Sequence, residues 1–469
     1  MTRTGNCLIS VIVSAGLTSC GSLANNNKED LKAQSAKAPE KWTAVLPNVS
    51  KESPTAWLSA FAHPELTALV DKALQGNPDL RLAAARVREA QALARVAGAQ
   101  RLPQADIDFS SMRSQRPSGT RFAGLGSRAN RFESMLDITW EADVWGRIKA
   151  QRQSAVAEVE ARQEDEQAAR LSLSASVVTA ATNLTEATLQ AALAEDNVNA
   201  LRTQLGVLSK QLERGLNAER GALDITLSRS DLARAEATVQ TRRREIDAAK
   251  RNLESLLGDY PAGKVKGLTF LPSMTSSIRA GLPSELLLRR PDIRAAERRL
   301  AAAVSDEKVA RTAFLPSIRL TTGAGLSSAE LSSLLQRESL LWSIAGSVAQ
   351  ALFQGGRLQA NVDAALARYD QALERYAQTA LRAFTEVETT LAAEHFWAEQ
   401  ENSLRAASTE AAQAENLART SYERGLSDIL TLLDSRRRAY DASSALISAQ
   451  ASRLRNRVST YLALGGAAR

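Results

Sequence analysis

The strongest constraint on how this chain can fold is that it repeats itself. Asn77-Pro78-Asp79-Leu80-Arg81 returns as Arg290-Pro291-Asp292-Ile293-Arg294, and Leu102-Pro103 returns as Leu315-Pro316, both 213 positions later. Gly146-Arg147-Ile148 returns as Gly356-Arg357-Leu358, and Arg214-Gly215-Leu216 as Arg424-Gly425-Leu426, both 210 positions later. Landmarks that hold their spacing, each followed by the same kind of element, mark an internal duplication. Whatever one half folds into, the other must fold into as well.

Within each half the local patterns are simple. From Pro64, the residues Leu66, Leu69, Val70, Ala73 and Leu74 follow helical spacing. The break at Asn77-Pro78-Asp79 is followed by a second helical run, 80–101, which Leu102-Pro103 stops. Two segments of period two come next. Ala105, Ile107 and Phe109 alternate with Asp106, Asp108 and Ser110; then Phe132, Leu136, Ile138 and Trp140 alternate with Glu133, Asp137, Thr139 and Glu141. Such alternation predicts strands with one apolar and one polar face, joined as a hairpin through the polar loop 116–130.

The stretch 147–214 holds no Pro and only one Gly, Gly206. It predicts a helix of about 70 residues, roughly 105 Å long. Gly215 marks its turn, and 223–257 reads as the returning helix, closed by Gly258 and Pro261. After a Pro/Gly/Ser connector at 261–283 the series restarts, with strands expected near 317–326 and 341–353. The shorter helices, about 37 and 35 residues, sum to the length of the long one and should stack end to end beside it. An aromatic content of only 4 % beside Ala/Leu/Glu/Gln/Arg-rich tracts fits long helices better than globular domains.

The N-terminus is a targeting segment. Arg3 precedes a short apolar core, and Leu17-Thr18-Ser19-Cys20 has the form of a bacterial lipobox, making Cys20 the lipidated first residue of the mature chain. The alternative is an ordinary signal peptide with an incidental Cys. Gly21 follows where an inner-membrane retention signal would place Asp, which favours the outer membrane. Cys7 leaves with the signal, so no disulfide or thiol metal site is expected. The expected organisation is a signal peptide at 1–19, a tether and equatorial segment at 20–63 docked by Trp42, Trp57 and Phe61, a first repeat at 64–260, a connector at 261–283 and a second repeat at 284–469.

No later apolar run approaches the ~20 residues of a membrane helix, so strands must make any further crossing. Four amphipathic strands cannot close a barrel, since the smallest have ~8, and open edges are not tolerated in lipid. A dimer, trimer or tetramer would supply 8, 12 or 16 strands from four per chain. A conducting pore points to a trimer or larger, because eight strands are filled by their own side chains. Asp106, Asp108, Glu133, Asp137 and Glu141 would then line water. A soluble meander with one wet face is the plainer alternative.

The residues also carry a family resemblance. Trp140-Glu141-Ala142-Asp143-Val144-Trp145-Gly146-Arg147, Leu288-Arg289-Arg290-Pro291-Asp292-Ile293-Arg294-Ala295-Ala296-Glu297, Phe314-Leu315-Pro316-Ser317, Phe353-Gln354-Gly355-Gly356-Arg357-Leu358 and the stretch 422–437 are together similar to those of outer membrane factors. These are the TolC/OprM/NodT-like exit ducts of tripartite efflux and secretion systems, and the chain most resembles their lipoprotein branch. The resemblance implies a mostly α fold with a small antiparallel β part: duplicated helical hairpins forming a trimeric α-barrel, and four strands per chain completing a 12-stranded outer-membrane β-barrel. It also implies a homotrimer held in outer-membrane lipid, served by a periplasmic adaptor and an inner-membrane pump, with a proton-driven pump expected.

By the same resemblance, the periplasmic gate falls on the second hairpin turn, around Gly425. Tyr422 corresponds to the tyrosine that bonds neighbouring coils shut, Leu430 and Asp434 to the constricting rings, and Arg437 to an ion-pair partner. Ser427 and Thr431 depart from the Arg and second Asp of some members. A ring of Asp434 carboxylates would select cations, and like-charge crowding would raise their pKa. The local alternatives are a solvated helix position for Asp434 and hairpin packing for Tyr422.

Other signals carry less. His63 and His395 lack metal-site spacing, no catalytic triad or cofactor motif is visible, and Gly355-Gly356 has no following lysine for a phosphate loop. The arginine triplets at 242–244 and 436–438 read as solvated or inter-helix pairs rather than nucleic-acid patches, in a chain with 59 basic and 52 acidic residues. Ser327, Ser328, Ser332 and Ser333 read as a surface loop. Two functions remain: a passive export duct, not an enzyme, or a lipid-anchored periplasmic coiled-coil scaffold without a pore.

Overall fold

The computed structural model describes residues 39, 41–44, 57–61, 63–115, 128–214, 218–272, 278 and 280–466. Cys20, Gly215 and the signal peptide lie outside these residues. The described elements are α1 (Pro64–Gly76), α2 (Pro78–Ala99), β1 (Gln104–Gln115), β2 (Arg128–Ala142), α3 (Arg147–Glu213) and α4 (Ala218–Leu257). The same series then recurs as α5 (Pro283–Arg289), α6 (Pro291–Thr312), β3 (Ser317–Ser328), β4 (Leu340–Ala349), α7 (Arg357–Glu423) and α8 (Ile429–Ala463). Both α3 and α7 have 67 residues, which makes each about 100 Å long.

Each long helix begins at a joint with the sheet. Asp143 accepts the N–H groups of Ile148 (3.0 Å) and Lys149 (2.7 Å), satisfying donors at the start of α3. Arg147 pairs with Glu141 at 2.8 Å, and the Trp145 indole donates to the Pro316 carbonyl at 2.7 Å. The Trp-Gly-Arg motif is therefore a strand-to-helix corner that also ties the end of β2 to the start of β3.

The short helices do stack end to end, and the repeated X-Pro-Asp motif makes the joint. Asn77 caps α2 by accepting the Asp79 N–H (2.8 Å), and its amide donates to the Leu256 carbonyl at the end of α4 (2.9 Å). Gly76 and Gly258 meet so closely that a Cβ on Gly258 would lie 2.4 Å from the Gly76 carbonyl oxygen. In the second half Arg290 takes the place of Asn77. Its guanidinium donates to the Ala463 carbonyl at the end of α8 (3.0 Å), to Glu386 of α7 (2.7 Å) and to Asp292 (2.7 Å). Burial, the largest single influence, raises the Asp292 pKa, but the bond and charge of Arg290, with the Ile293 N–H and the Arg382 charge, together outweigh it and hold the carboxyl below its usual range.

The apolar core sits at this equatorial level. Phe61, Leu66, Val70, Val177, Leu184, Leu253, Leu257, Val458 and Tyr461 form one cluster. Ile278, Leu286, Ile293, Ala383, Val387, Leu391 and Leu464 form its counterpart in the second half. The docking expected of the N-terminal aromatics is observed: Trp57 and Phe61 pack on Tyr461, and Trp42 on Phe384. The expected break at Asn77 is observed, because the residue before a proline avoids helical backbone. Two boundaries differ from expectation. β4 ends at Ala349, leaving Leu352 and Phe353 exposed beyond the sheet. Ser327 and Ser328 belong to β3 rather than to a loop.

Candidate functional site

Two places combine exposure with unusual chemistry. The first is the sheet, an antiparallel meander in the order β1-β2-β3-β4. Asp106 faces Asp137, Asp108 faces Met135 and Ser110 faces Glu133, while Glu141 lies opposite Arg319. Residues paired across strands share a face. All five predicted carboxylates therefore lie on one face. The other carries Ile107, Phe109, Leu136, Leu320, Trp342 and Ile344, and the described residues leave it uncovered: Ile107 is 78 % exposed. Glu133 pairs with Arg131 and Glu141 with Arg147, each at 2.8 Å. Asp106, Asp108 and Asp137 have no ion-pair partner among the described residues.

The second place is the tip where α7 turns into α8. Gly425 adopts φ 72°, and the N–H groups of Gly425 and Leu426 donate to the carbonyls of Tyr422 (2.9 Å) and Ser421 (2.8 Å). This glycine-terminated closure satisfies the helix end. Asp428 then caps α8 by accepting from the Thr431 N–H (2.9 Å) and hydroxyl (2.7 Å). Thr431, where some family members have an aspartate, is thus engaged in the cap.

Ile429 and Leu432 turn inward onto Leu208 of α3 and Ile225 of α4, with Tyr422 packed against them. Burial raises the Tyr422 phenol pKa, and the nearby Asp224 carboxylate on α4 raises it further. Leu430 points outward at 55 % exposure. A groove of about 370 Å³ between α4 and α8 is lined by Leu227, Asp231, Arg234, Leu430, Asp434 and Arg437, among others.

The three consecutive arginines of α8 divide their work. Arg436 is only 12 % exposed and bridges Glu415 of α7 (3.0 Å) and Gln204 of α3 (2.9 Å). Arg437 and Arg438, exposed at 69 % and 74 %, turn back onto the two oxygens of Asp434 at 2.8 and 2.7 Å. Arg438 first, then Arg437, holds the Asp434 carboxyl below its usual range. Within the single chain these guanidiniums, one turn away on the same helix, set the direction; the rise expected from like-charge crowding is an effect between copies of the chain. Two of the earlier triplet are paired too, Arg242 with Glu245 (2.9 Å) and Arg243 with Glu195 (2.8 Å).

The outer membrane efflux protein family matches this chain twice, over residues 69–259 and 282–466. The chain belongs to that family. The efflux protein is 31 % identical over 416 residues to the solvent efflux pump outer membrane protein SrpC of Pseudomonas putida, covering 87 % of this chain and 86 % of that one. It is 31 % identical over 419 residues to the cation efflux system protein CusC of Escherichia coli O6:H1, covering 87 % and 88 %. Among solved structures, the outer-membrane channel OprN superposes with a TM-score of 0.84 at 32 % identity, over 92 % of this chain and 96 % of that one. The mostly helical architecture with a small antiparallel sheet is the family's, as is the outer-membrane location. The family is one of channels, not enzymes.

For this efflux protein, the structure brings Tyr422, Leu430, Asp434 and Arg437 to one hairpin tip, with Leu430, Asp434 and Arg437 facing the α4–α8 groove and Tyr422 turned into the tip cluster. It adds three residues that sequence reasoning did not assign: Asp224 beside Tyr422, and Gln204 and Glu415 on Arg436. Of these, only Asp224 falls at a position the sequence marked, the start of the returning helix 223–257. His63 is buried against Phe270 and His395 lies against Phe396. No cluster of three metal-ligating side chains occurs among the described residues.

Proposed function

We propose that three copies of this efflux protein form the passive outer-membrane exit duct of a tripartite efflux system. A periplasmic adaptor and a proton-driven inner-membrane pump would deliver its cargo. The observation that carries this reading is the sheet. Its exposed apolar face opposes a five-carboxylate face, and among the described residues β1 and β4 each leave an edge unpaired. An open edge in lipid leaves backbone groups unsatisfied, so four strands from each of three chains close as a twelve-stranded barrel, with Asp106, Asp108, Glu133, Asp137 and Glu141 lining water. The paired long hairpins continue the duct into the periplasm, and a lipid on Cys20 anchors it beside the barrel.

The tip is the candidate gate. Tyr422, Leu430, Asp434 and Arg437 from each chain would surround the closed periplasmic end, and opening would be a population shift driven by better contacts with the adaptor. Relatives with this architecture are named for solvents and for cations, so the fold leaves the cargo open. The test is to extract the protein from outer-membrane fractions and record ion currents in planar bilayers. Heat-modifiable trimers with stable conductance are expected. A helical monomer released by salt and silent in bilayers would instead identify a lipid-anchored scaffold.

A further inference from the structure

Basic residues, like the five carboxylates, are divided unequally between the two faces of the sheet. The strand registers put Phe109, Phe132, Leu136, Trp140 and Trp342 on the apolar face. In the described strands that face holds no Asp, Glu or Lys, and its only charged residues are Arg113 and Arg128. Both lie at one end of the β1–β2 pair, beyond Phe132. Ser111 faces Phe132, Arg113 faces Asn130 in the next row of that face, and Gln115 faces Arg128 in the row after. Arg113 and Arg128 are therefore diagonal neighbours, about 7–8 Å apart at Cα, and Asn130 and Gln115 fill the other two corners. Both arginines are exposed, and neither has an ion-pair partner among the described residues. Residues 116–127, between the two strands, contain no Asp or Glu. Arg131, on the opposite face, pairs instead with Glu133 at 2.8 Å.

We infer that Arg113 and Arg128, with Asn130 and Gln115, form a site for the phosphate of an outer-leaflet lipid headgroup, once per chain. The inference rests on the duct reading above, which puts the apolar face in lipid. It also points the sheet end remote from α3 and α7 out of the cell. Phe132 and Trp140 are eight residues apart, about 27 Å along the strand and about 21 Å of bilayer height at a tilt of about 40°. That nearly fills the ~25 Å apolar band of an outer-membrane barrel, with an aromatic residue at each rim. The row of Arg113 and Asn130 then falls where headgroups begin. A guanidinium binds phosphate through paired N–H donors held in a fixed fork. Two of them on one face repel unless an anion lies between. The Asn130 and Gln115 amides add neutral donors for further phosphate or sugar oxygens. Acyl chains of the same lipid would lie along the apolar band below. The basic residue on the wet face has a protein carboxylate; the two on the lipid face must take their anion from the membrane.

The test titrates lipid A into the full-length protein solubilised from outer membranes and counts retained lipid by native mass spectrometry. Lipid A bearing both phosphates is compared with the same lipid after dephosphorylation. The wild-type chain should hold the phosphorylated form about tenfold or more tightly, the scale of one or two charge-assisted bonds. Arg113→Gln combined with Arg128→Gln should remove that preference, and Arg131→Gln on the lumen face should keep it. Inorganic phosphate, which lacks acyl chains, should compete at least about tenfold less well than the phosphorylated lipid. Equal retention of the two lipids by conducting wild-type trimers overturns the inference, and so does a preference that survives the double substitution. Competition by inorganic phosphate as effective as by the lipid identifies a free-anion site and also overturns it. If the double variant fails to assemble, the two lipids compared on the wild-type chain still decide. A wild-type chain silent in bilayers removes the duct reading, and the site falls with it.

Discussion

The sheet and the hairpin tip both carry aspartates, and they treat them in opposite ways. On the sheet, Asp106, Asp108 and Asp137 share one face and have no ion-pair partner among the described residues, two of them directly opposed across β1 and β2. At the tip, both oxygens of Asp434 are taken by Arg437 and Arg438 of its own helix. The neighbours that share a face make the difference. A strand puts i±2 on the same face and a helix brings i+3 and i+4 within reach. Arg131 pairs with Glu133 along β2 at 2.8 Å, but no basic residue stands two places from Asp106, Asp108 or Asp137. Asp434, by contrast, is followed by Arg437 and Arg438.

The largest expected effect concerns engaged carboxylates elsewhere in the helical body. Arg290→Ala strands Asp292 and Glu386 and frees the Ala463 carbonyl. Removing one partner of such a buried pair should lower unfolding stability by about 3 kcal/mol, the low end for this class because Glu386 is partly exposed. Denaturant titration in detergent checks it, and a loss below about 1 kcal/mol would place Arg290 with surface pairs.

Next comes the sheet's other face. Ile107→Lys puts a charge in the middle of the apolar band and should cost about 2–3 kcal/mol per chain in membrane-inserted stability. Asp108→Asn, on the adjacent position but the opposite face, should stay within about 0.5 kcal/mol. Equal losses from the two would mean that the faces are not distinguished by lipid and water.

The third prediction is a pH profile. Asp292 has a folded pKa below its unfolded value. Its stabilising share is therefore present above about pH 4, the unfolded carboxyl range, and is lost as pH falls through the folded value. Stability should hold between about pH 5 and 8 and decline in more acidic buffer. In Arg290→Ala this acid limb should flatten, which unfolding curves at several pH values would show.

The smallest effect separates the two aspartate settings most finely. Asp434→Asn releases two guanidiniums that stay charged at every accessible pH, so reversal potentials should move toward anion preference. A free acidic ring would predict simple loss of cation preference, and Arg437→Gln with Arg438→Gln should recreate that ring and move the potential toward cations. If neither variant shifts the reversal potential, the tip is not the selective level of the duct.

Much of this protein is legible from one dimension. The duplication, the period of two in the strands, the breaker-free tract after Gly146 and the glycine turn at Gly425 are local patterns, set by backbone sterics and by which side chains must share a face. Those patterns also placed all five strand carboxylates on one side. What only the tertiary structure decided depends on partners far away in the chain. Asn77 and Arg290 look like unrelated residues before a proline until each is seen bonding the end of the returning helix. Asp224 meets Tyr422 across two turns, Arg436 leaves its neighbours to clasp α3 and α7, and Glu388 is an ordinary helix glutamate until it accepts the Thr43 and Ala44 N–H groups. Such contacts have no period along the sequence. They arise because packing two hairpins side by side and stacking the short helices end to end bring distant backbone and charged groups into one low-dielectric place, where each must find a partner.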